Sequence, residues 1–278
     1  MISLPPVLRF EHMSMCAEAL VEALKSSVQS DTSARPSFFQ TLNSVQRHRF
    51  PIERDGGQSP SLVWCQTEEH RAALATIIRP YPVPDDWIYS RSEFDELSKK
   101  VRKAEALIDR VDPEVGRLMR LLIGSYYFAK GGSHIEGGSS SKFIGVIWVG
   151  QNLECTVTQV AELLVHEMVH NALFLDDMIH GIHVDGEGVL GVAENQVVSA
   201  IRQIQRGYDK GFHSAYVACV LARFYRQLAE HDRSRELLSP TGDTLVGLQE
   251  KAHLLLPHGQ TRLGELVAFH GQLAGGLQ

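Results

Sequence analysis

Apolar positions recur at helical spacing along most of the chain. From Phe10 to Val28, the residues Met13, Cys16, Leu20, Leu24 and Val28 fall on one stripe, which predicts an amphipathic helix. The segment Ser92 to Arg110 predicts a helix with a charged outer face of Lys99, Lys100, Arg102 and Lys103, a pattern that suits a solvated face better than a binding patch. Asp112-Pro113-Glu114 combines a cap, a first-turn proline and an acid, and starts a helix running through Leu118, Met119, Leu122 and Ile123 to about Tyr127. Phe212 to Ala229 carries Val217, Val220, Leu221, Phe224 and Leu228 on its apolar side. Further helices are predicted over Ser37 to His48, Leu62 to Ile78, Val192 to Arg206, Asp243 to Leu256 and Thr261 to Leu273. Breaks fall at Asp31 to Pro36, Pro51 to Ser61, the prolines 80, 82 and 84, Ile179 to Leu190, and Gly207 to Gly211.

One run departs from this period. Phe143 to Val149 is continuously apolar between Lys142 and Gly150, and is the best strand in the chain. A glycine- and serine-rich loop, Ala129 to Lys142, precedes it. The expected class is therefore mainly α with a small β element (α+β). The division expected is an N-terminal helical region over 1–128 and a metal-binding catalytic region over 129–278, forming one compact unit.

A short loop leads from the strand into Thr156 to Asp176, which holds the HExxH motif His166-Glu167-Met168-Val169-His170. Residues four apart share a helix face, so both imidazoles can face one metal ion, with Glu167 one step away. Thr156 and Gln159 have capping-box spacing, and Leu163, Leu164, Met168, Val169, Ala172 and Leu173 supply apolar surface. A chance HExxH seldom sits in a capped, apolar helix. The pattern predicts a zincin-like HExxH helix preceded by a strand and surrounded by helices.

Composition narrows the class further. The 278 residues are 44% hydrophobic and 22% charged, with a net charge of -6 and no dense basic block, which argues against general nucleic-acid binding. No apolar stretch is long enough to span a membrane, and the start lacks the pattern of a secretory signal. The four cysteines are far apart without a CxxC pair, which suits free thiols in a reducing cytoplasm.

A catalytic zinc or iron site needs a third ligand. The metzincin position is Asp176 rather than histidine, so that pattern fails. Glu194 fits the gluzincin place, within the predicted helix, but AENQVVS lacks the acid four residues later. His180 and His183 are better suited to lining a pocket or the surface. His213 begins an apolar helix and remains the other candidate.

The stretch SAIRQIQRGYDKGFHSAYVACVLARFYRQL, Ser199 to Leu228, resembles the segment downstream of HExxH in the HExxH-type α-ketoglutarate-dependent peptide β-hydroxylases. Ser199, Arg202, Arg206, Gly211, His213, Tyr216 and Val217 match its Ser-x-x-Arg, second Arg and Gly-x-His-x-x-Tyr-Val elements. The likeness extends to Ser139 to Gly150 and to Thr261-Arg262-Leu263-Gly264, roughly the C-terminal half of the chain. The chain departs from the family at Ala200-Ile201 and Arg206-Gly207, where a Pro-Trp and an Arg-Pro are common.

The resemblance implies an Fe(II)- and α-ketoglutarate-dependent dioxygenase. Such an enzyme uses molecular oxygen to hydroxylate the β-carbon of an amino-acid residue in a peptide or carrier-bound substrate, in natural-product biosynthesis. His166, His170 and His213 would be the metal ligands. Arg202 and Arg206 would hold the cosubstrate's distal carboxylate, since an arginine fork matches a carboxylate bidentately. The loop with His134 would close over substrate, and the strand with Trp148 would line the substrate groove. The alternative is a zinc metallopeptidase in which Glu167 acts as general base. In the oxygenase Glu167 has no evident proton to take and would orient a ligand or a bound water.

Overall fold

A computed structural model describes residues 2–24, 37–46, 52, 59–75, 83–130, 137–184 and 187–276. They are mainly helical with a small sheet. The chain gathers into two compact units, residues 13–175 and residues 1–12 with 176–278.

In the first unit, helix α1 (Phe10–Leu24), which enters it at Met13, and α2 (Phe38–Val45) precede strand β1 (Ser61–Trp64) and helix α3 (Glu68–Ala75). Next come α4 (Arg91–Val111), α5 (Pro113–Leu122), β2 (Ser125–Phe128), β3 (Gly137–Gly138) and β4 (Val146–Val149). Helix α6 (Val157–His180) follows and runs on past residue 175. Capping is local and agrees with the sequence. Ser90 and Glu93 form a capping box on α4, Asp112 caps α5 with Pro113 at its start, and Thr156 and Gln159 cap α6 reciprocally.

The sheet order is β1-β2-β4-β3. β1, β2 and β4 are parallel and β3 is an antiparallel edge. Every residue of β2 and β4 is buried, as expected of parallel strands covered on both faces. Phe94 of α4 stacks on Trp64 of β1 and meets Phe128 of β2 edge-on, so α4 covers one face of the sheet.

Two predicted helices in this unit are replaced in part by strand. Leu62 to Ile78 divides into β1 and α3, and the helix after Asp112 stops at Leu122 rather than near Tyr127. Both errors have one cause. Ser-Leu-Val-Trp and Ser-Tyr-Tyr-Phe are short apolar runs rich in β-branched or aromatic residues, and they pair with each other residue for residue. Periodicity alone does not separate such runs from buried helix. The predicted strand from Phe143 is shortened to Val146–Val149, because Gly145 has φ 93° and turns the backbone into the sheet.

In the second unit, α6 is followed by α7 (Glu187–Gly191), the hairpin β5 (Val197–Val198) and β6 (Gln205–Arg206), then α8 (Tyr208–Gln227), α9 (His231–Glu250) and α10 (Pro257–Gly275). α8 is buried on nearly all sides from Gly211 to Tyr225, and α9 and α10 pack against it. The Tyr208 hydroxyl donates to the Leu248 carbonyl at 2.8 Å and the Tyr216 hydroxyl to the Arg262 carbonyl at 2.7 Å.

The predicted helix Val192 to Arg206 is a hairpin in the structure, with Gln203 at φ 52° in its turn. The predicted break Gly207 to Gly211 is the first turn of α8. The helix predicted from Asp243 begins at His231 and carries Pro240 inside it. No helix among the described residues is long and apolar enough to cross a membrane.

Candidate metal centre

Helix α6 brings His166 and His170 together as their spacing requires. Their Nε2 atoms lie 3.2 Å apart, with ring centroids at 5.0 Å. Imidazole–metal bonds of about 2.0–2.1 Å from both nitrogens can meet at one ion across that gap. The His170 ring stacks on Phe174 one turn later at 5.9 Å. His166 is partly open to solvent while Glu167 is buried. Such a donor pair suits zinc or iron equally.

Glu167 lies beside the pair, its Oε1 3.8 Å from His166 Nε2. The Ser139 hydroxyl donates to Glu167 Oε2 at 2.6 Å. Burial pushes the Glu167 carboxyl up to about 7, and the Ser139 hydrogen bond partly offsets that rise.

Asn171 fixes the motif helix against the sheet. Its side chain is fully buried. Oδ1 accepts the Gly145 N–H at 2.7 Å, and Nδ2 donates to the Glu167 carbonyl at 2.8 Å. The turn entering β4 is thereby tied to the helical turn that carries Glu167. Sequence reasoning missed this role for Asn171. The available signal was a polar residue amid the apolar face directly after the motif.

Trp148 is buried in β4, and its indole N–H is donated to the Ala129 carbonyl at 2.6 Å. β3 pairs with β4 at Val149 and Trp148, while β2 occupies its other edge there. An extended peptide would therefore meet β3 rather than β4. His134 lies outside the described residues.

His213, Arg202 and Arg206 belong to the second unit. His213 is buried in the second turn of α8, and burial, with the nearby His183, pushes its pKa down to about 3. It is therefore a neutral imidazole, the form that ligates metals. Arg202 is exposed in the β5–β6 turn and Arg206 is half-buried in β6. Burial lowers the Arg206 pKa, and the Arg202 charge adds to that effect while Asp209 opposes it. Two cations thus share one hairpin.

The turn between them is built by Ser199. Its Oγ accepts the Arg202 N–H at 3.3 Å, and its carbonyl accepts the Gln203 N–H at 2.8 Å. Ser214 of α8 reaches back to accept the Ala200 N–H at 3.1 Å. Glu194 sits on an exposed single turn of 3-10 helix, not on the α-helix expected of a gluzincin ligand.

A second group of ligating side chains lies in this unit and was not singled out from sequence. His12, Asp176 and His180 offer ligand atoms within 4.8 Å of one another. His12 Nε2 is 2.6 Å from Asp176 Oδ1, while His258 Nε2 at 2.9 Å and Arg262 Nε at 3.3 Å face Oδ2. Asp176 is completely buried. Burial works against its charge, but hydrogen bonds from His12 and His258 and the Arg262 guanidinium outweigh it and hold the carboxyl below its usual range. The legible signal was i,i+4 spacing, Asp176 with His180 on α6 and His258 with Arg262 on α10.

No protein-family model matches the chain, and no curated protein matches it.

Proposed function

We propose that the protein is an Fe(II)- and α-ketoglutarate-dependent hydroxylase acting on a residue of a peptide or carrier-bound substrate. The observation that carries a metal-dependent reading is the convergence of His166 Nε2 and His170 Nε2 at 3.2 Å on one helix face. The resemblance at Ser199, Arg202, Arg206 and His213 supports iron and α-ketoglutarate over zinc and hydrolysis. His166, His170 and His213 would hold the iron. When bound, it would supply oxygen-dependent oxidation coupled to decarboxylation of α-ketoglutarate.

The protein's own groups would bind and orient. Arg206, half-buried and pressed by the Arg202 charge, is the better placed of the two to gain from a bound carboxylate. Arg202, exposed in the turn, would add attraction rather than a fixed hydrogen bond. Glu167 would be held in place by the Ser139 hydroxyl and would keep the motif turn and the ligand pair in register.

One observation favours zinc peptidase chemistry as the second reading. A buried carboxyl raised to about 7 beside the histidine pair has the proton affinity of a general base working at neutral pH.

Anaerobic addition of Fe(II) and then α-ketoglutarate to the metal-free protein separates the two. The hydroxylase should give the visible charge-transfer band of the chelate, and His213→Ala should abolish it while Glu194→Ala should not. Absence of the band together with zinc-dependent peptide cleavage overturns the proposal. Loss of metal in Glu194→Ala but not in His213→Ala moves the third ligand to Glu194.

A further inference from the structure

We infer that the protein has a second divalent transition-metal site, formed by His12, Asp176 and His180 and independent of the HExxH pair. Asp176 is the centre of the group. It is completely buried, and its two oxygens have different surroundings. Oδ2 faces His258 Nε2 at 2.9 Å and Arg262 Nε at 3.3 Å. Oδ1 faces His12 Nε2 at 2.6 Å. Metal-ligating carboxylates are commonly arranged in this way, with one oxygen held by protein donors and the other turned to the ion.

Each of the two flanking histidines presents Nε2 to both Asp176 and Arg262. His12 Nε2 lies between Asp176 Oδ1, an acceptor, and Arg262 Nη2 at 3.1 Å, a donor. His258 Nε2 likewise lies between Asp176 Oδ2 and Arg262 Nε at 3.1 Å. One ring nitrogen cannot both donate to the carboxylate and accept from the guanidinium. A bound ion would take a lone pair from His12 Nε2 and one from Asp176 Oδ1 in place of the hydrogen bond between them, and leave His258 to donate to Oδ2.

Charge and access are compatible with this arrangement. The Arg262 guanidinium is shared between Asp176 Oδ2, 3.3 Å from Nε, and Glu265 Oε2, 2.8 Å from Nη1, so it offsets the Asp176 charge only in part. His180 is exposed and stacks between His12, at a centroid distance of 5.8 Å, and His258, at 4.5 Å. It is therefore the ligand on the solvent side through which an ion enters. Imidazole with carboxylate selects the zinc, cobalt and nickel class over calcium or magnesium.

Two ligands of this site lie on α6 beyond the motif. The helix is uninterrupted through His180. Asp176 is therefore about 15 Å of helix rise past His166 and cannot complete the motif's own coordination.

The test is Co(II) binding to the full chain by equilibrium dialysis, read also by the visible d–d absorption. Wild type is compared with His166→Ala/His170→Ala and with that double variant carrying His180→Ala, folding being checked by circular dichroism. The double variant should keep one equivalent of Co(II), and His180→Ala should weaken it at least tenfold. His180 is exposed, so its removal leaves the fold intact where Asp176→Asn could disturb it. A folded double variant that binds no Co(II), or whose Co(II) is indifferent to His180→Ala, overturns the inference. One equivalent in both wild type and double variant defeats the HExxH assignment and supports this one. One in wild type and none in the double variant does the reverse.

Discussion

Asn171 shows how much one side chain can organise. Truncation to alanine leaves the Gly145 N–H without its acceptor in a buried turn, while the Glu167 carbonyl keeps its helical partner. An unsatisfied buried donor costs about 1–3 kcal/mol, so Asn171→Ala should lower stability by about that amount. The shift is measurable as a lower denaturant midpoint at unchanged slope. A midpoint equal to wild type would show that the turn into β4 does not depend on this contact. At the residue scale, the sequence revealed those partnerships that are set by helical spacing. His166 with His170 was legible because four residues fix the face. Ser139 with Glu167 was not, because a loop and a helix meet there through tertiary packing that no local period encodes.

Among the elements, the hairpin ahead of α8 is the one most exposed to a small change. A Cβ at Gly211 would lie 2.0 Å from Val197 Cγ2, so the first turns of α8 and β5 approach through that glycine. Gly211→Ala should therefore displace the hairpin and cost about 1–3 kcal/mol as overpacking. Val197→Ala in the same chain should recover most of the loss, read as the coupling energy of a double-mutant cycle in thermal or denaturant unfolding. Additive effects would show that the cost of Gly211→Ala does not arise from its approach to Val197. The elements read correctly from sequence are those with local signals. Asp112 with Pro113, and Thr156 with Gln159, mark helix starts within four residues. β1 and β2 were read as helix because each exists only by pairing with strands distant in sequence, Ser61 with Ser125 through Trp64 with Phe128, and Ser125 with Val146 through Phe128 with Val149. The β5–β6 hairpin was missed for a related reason. Its two-residue strands are too short to show alternation, and Ser199 and Ser214 rather than a glycine pair build the turn.

The molecule as a whole carries buried ionisable groups whose effects on stability oppose one another. In the metal-free protein Glu167 titrates at about 7 when folded and near 4.5 when unfolded. Below pH 4.5 both states are protonated and burial carries no ionic penalty. As pH rises to 7 the unfolded carboxyl ionises first and stability falls, by on the order of 3 kcal/mol. His213 acts in the other direction. It titrates at about 3 when folded and near 6.5 when unfolded, so its neutral burial costs nothing above pH 6.5, and stability falls as pH drops below that. Between pH 4.5 and 6.5 the two slopes are equal and opposite, and their sum is a plateau. Below the plateau His213 is joined by Asp176, whose stabilising charge is lost as pH falls through its depressed pKa. Glu167→Gln should tilt the plateau so that stability rises with pH, and His213→Gln should tilt it so that stability falls. The slope in each case is about 1.4 kcal/mol per pH unit. Urea unfolding of the chelator-treated protein across pH 4.5–6.5 measures both slopes, and profiles parallel to wild type would contradict the assignment of these groups. The two residues belong to different compact units. If the units unfold together, both tilts appear in one transition. If they unfold separately, each wild-type transition slopes on its own, Glu167→Gln levels only that of residues 13–175, and His213→Gln only the other.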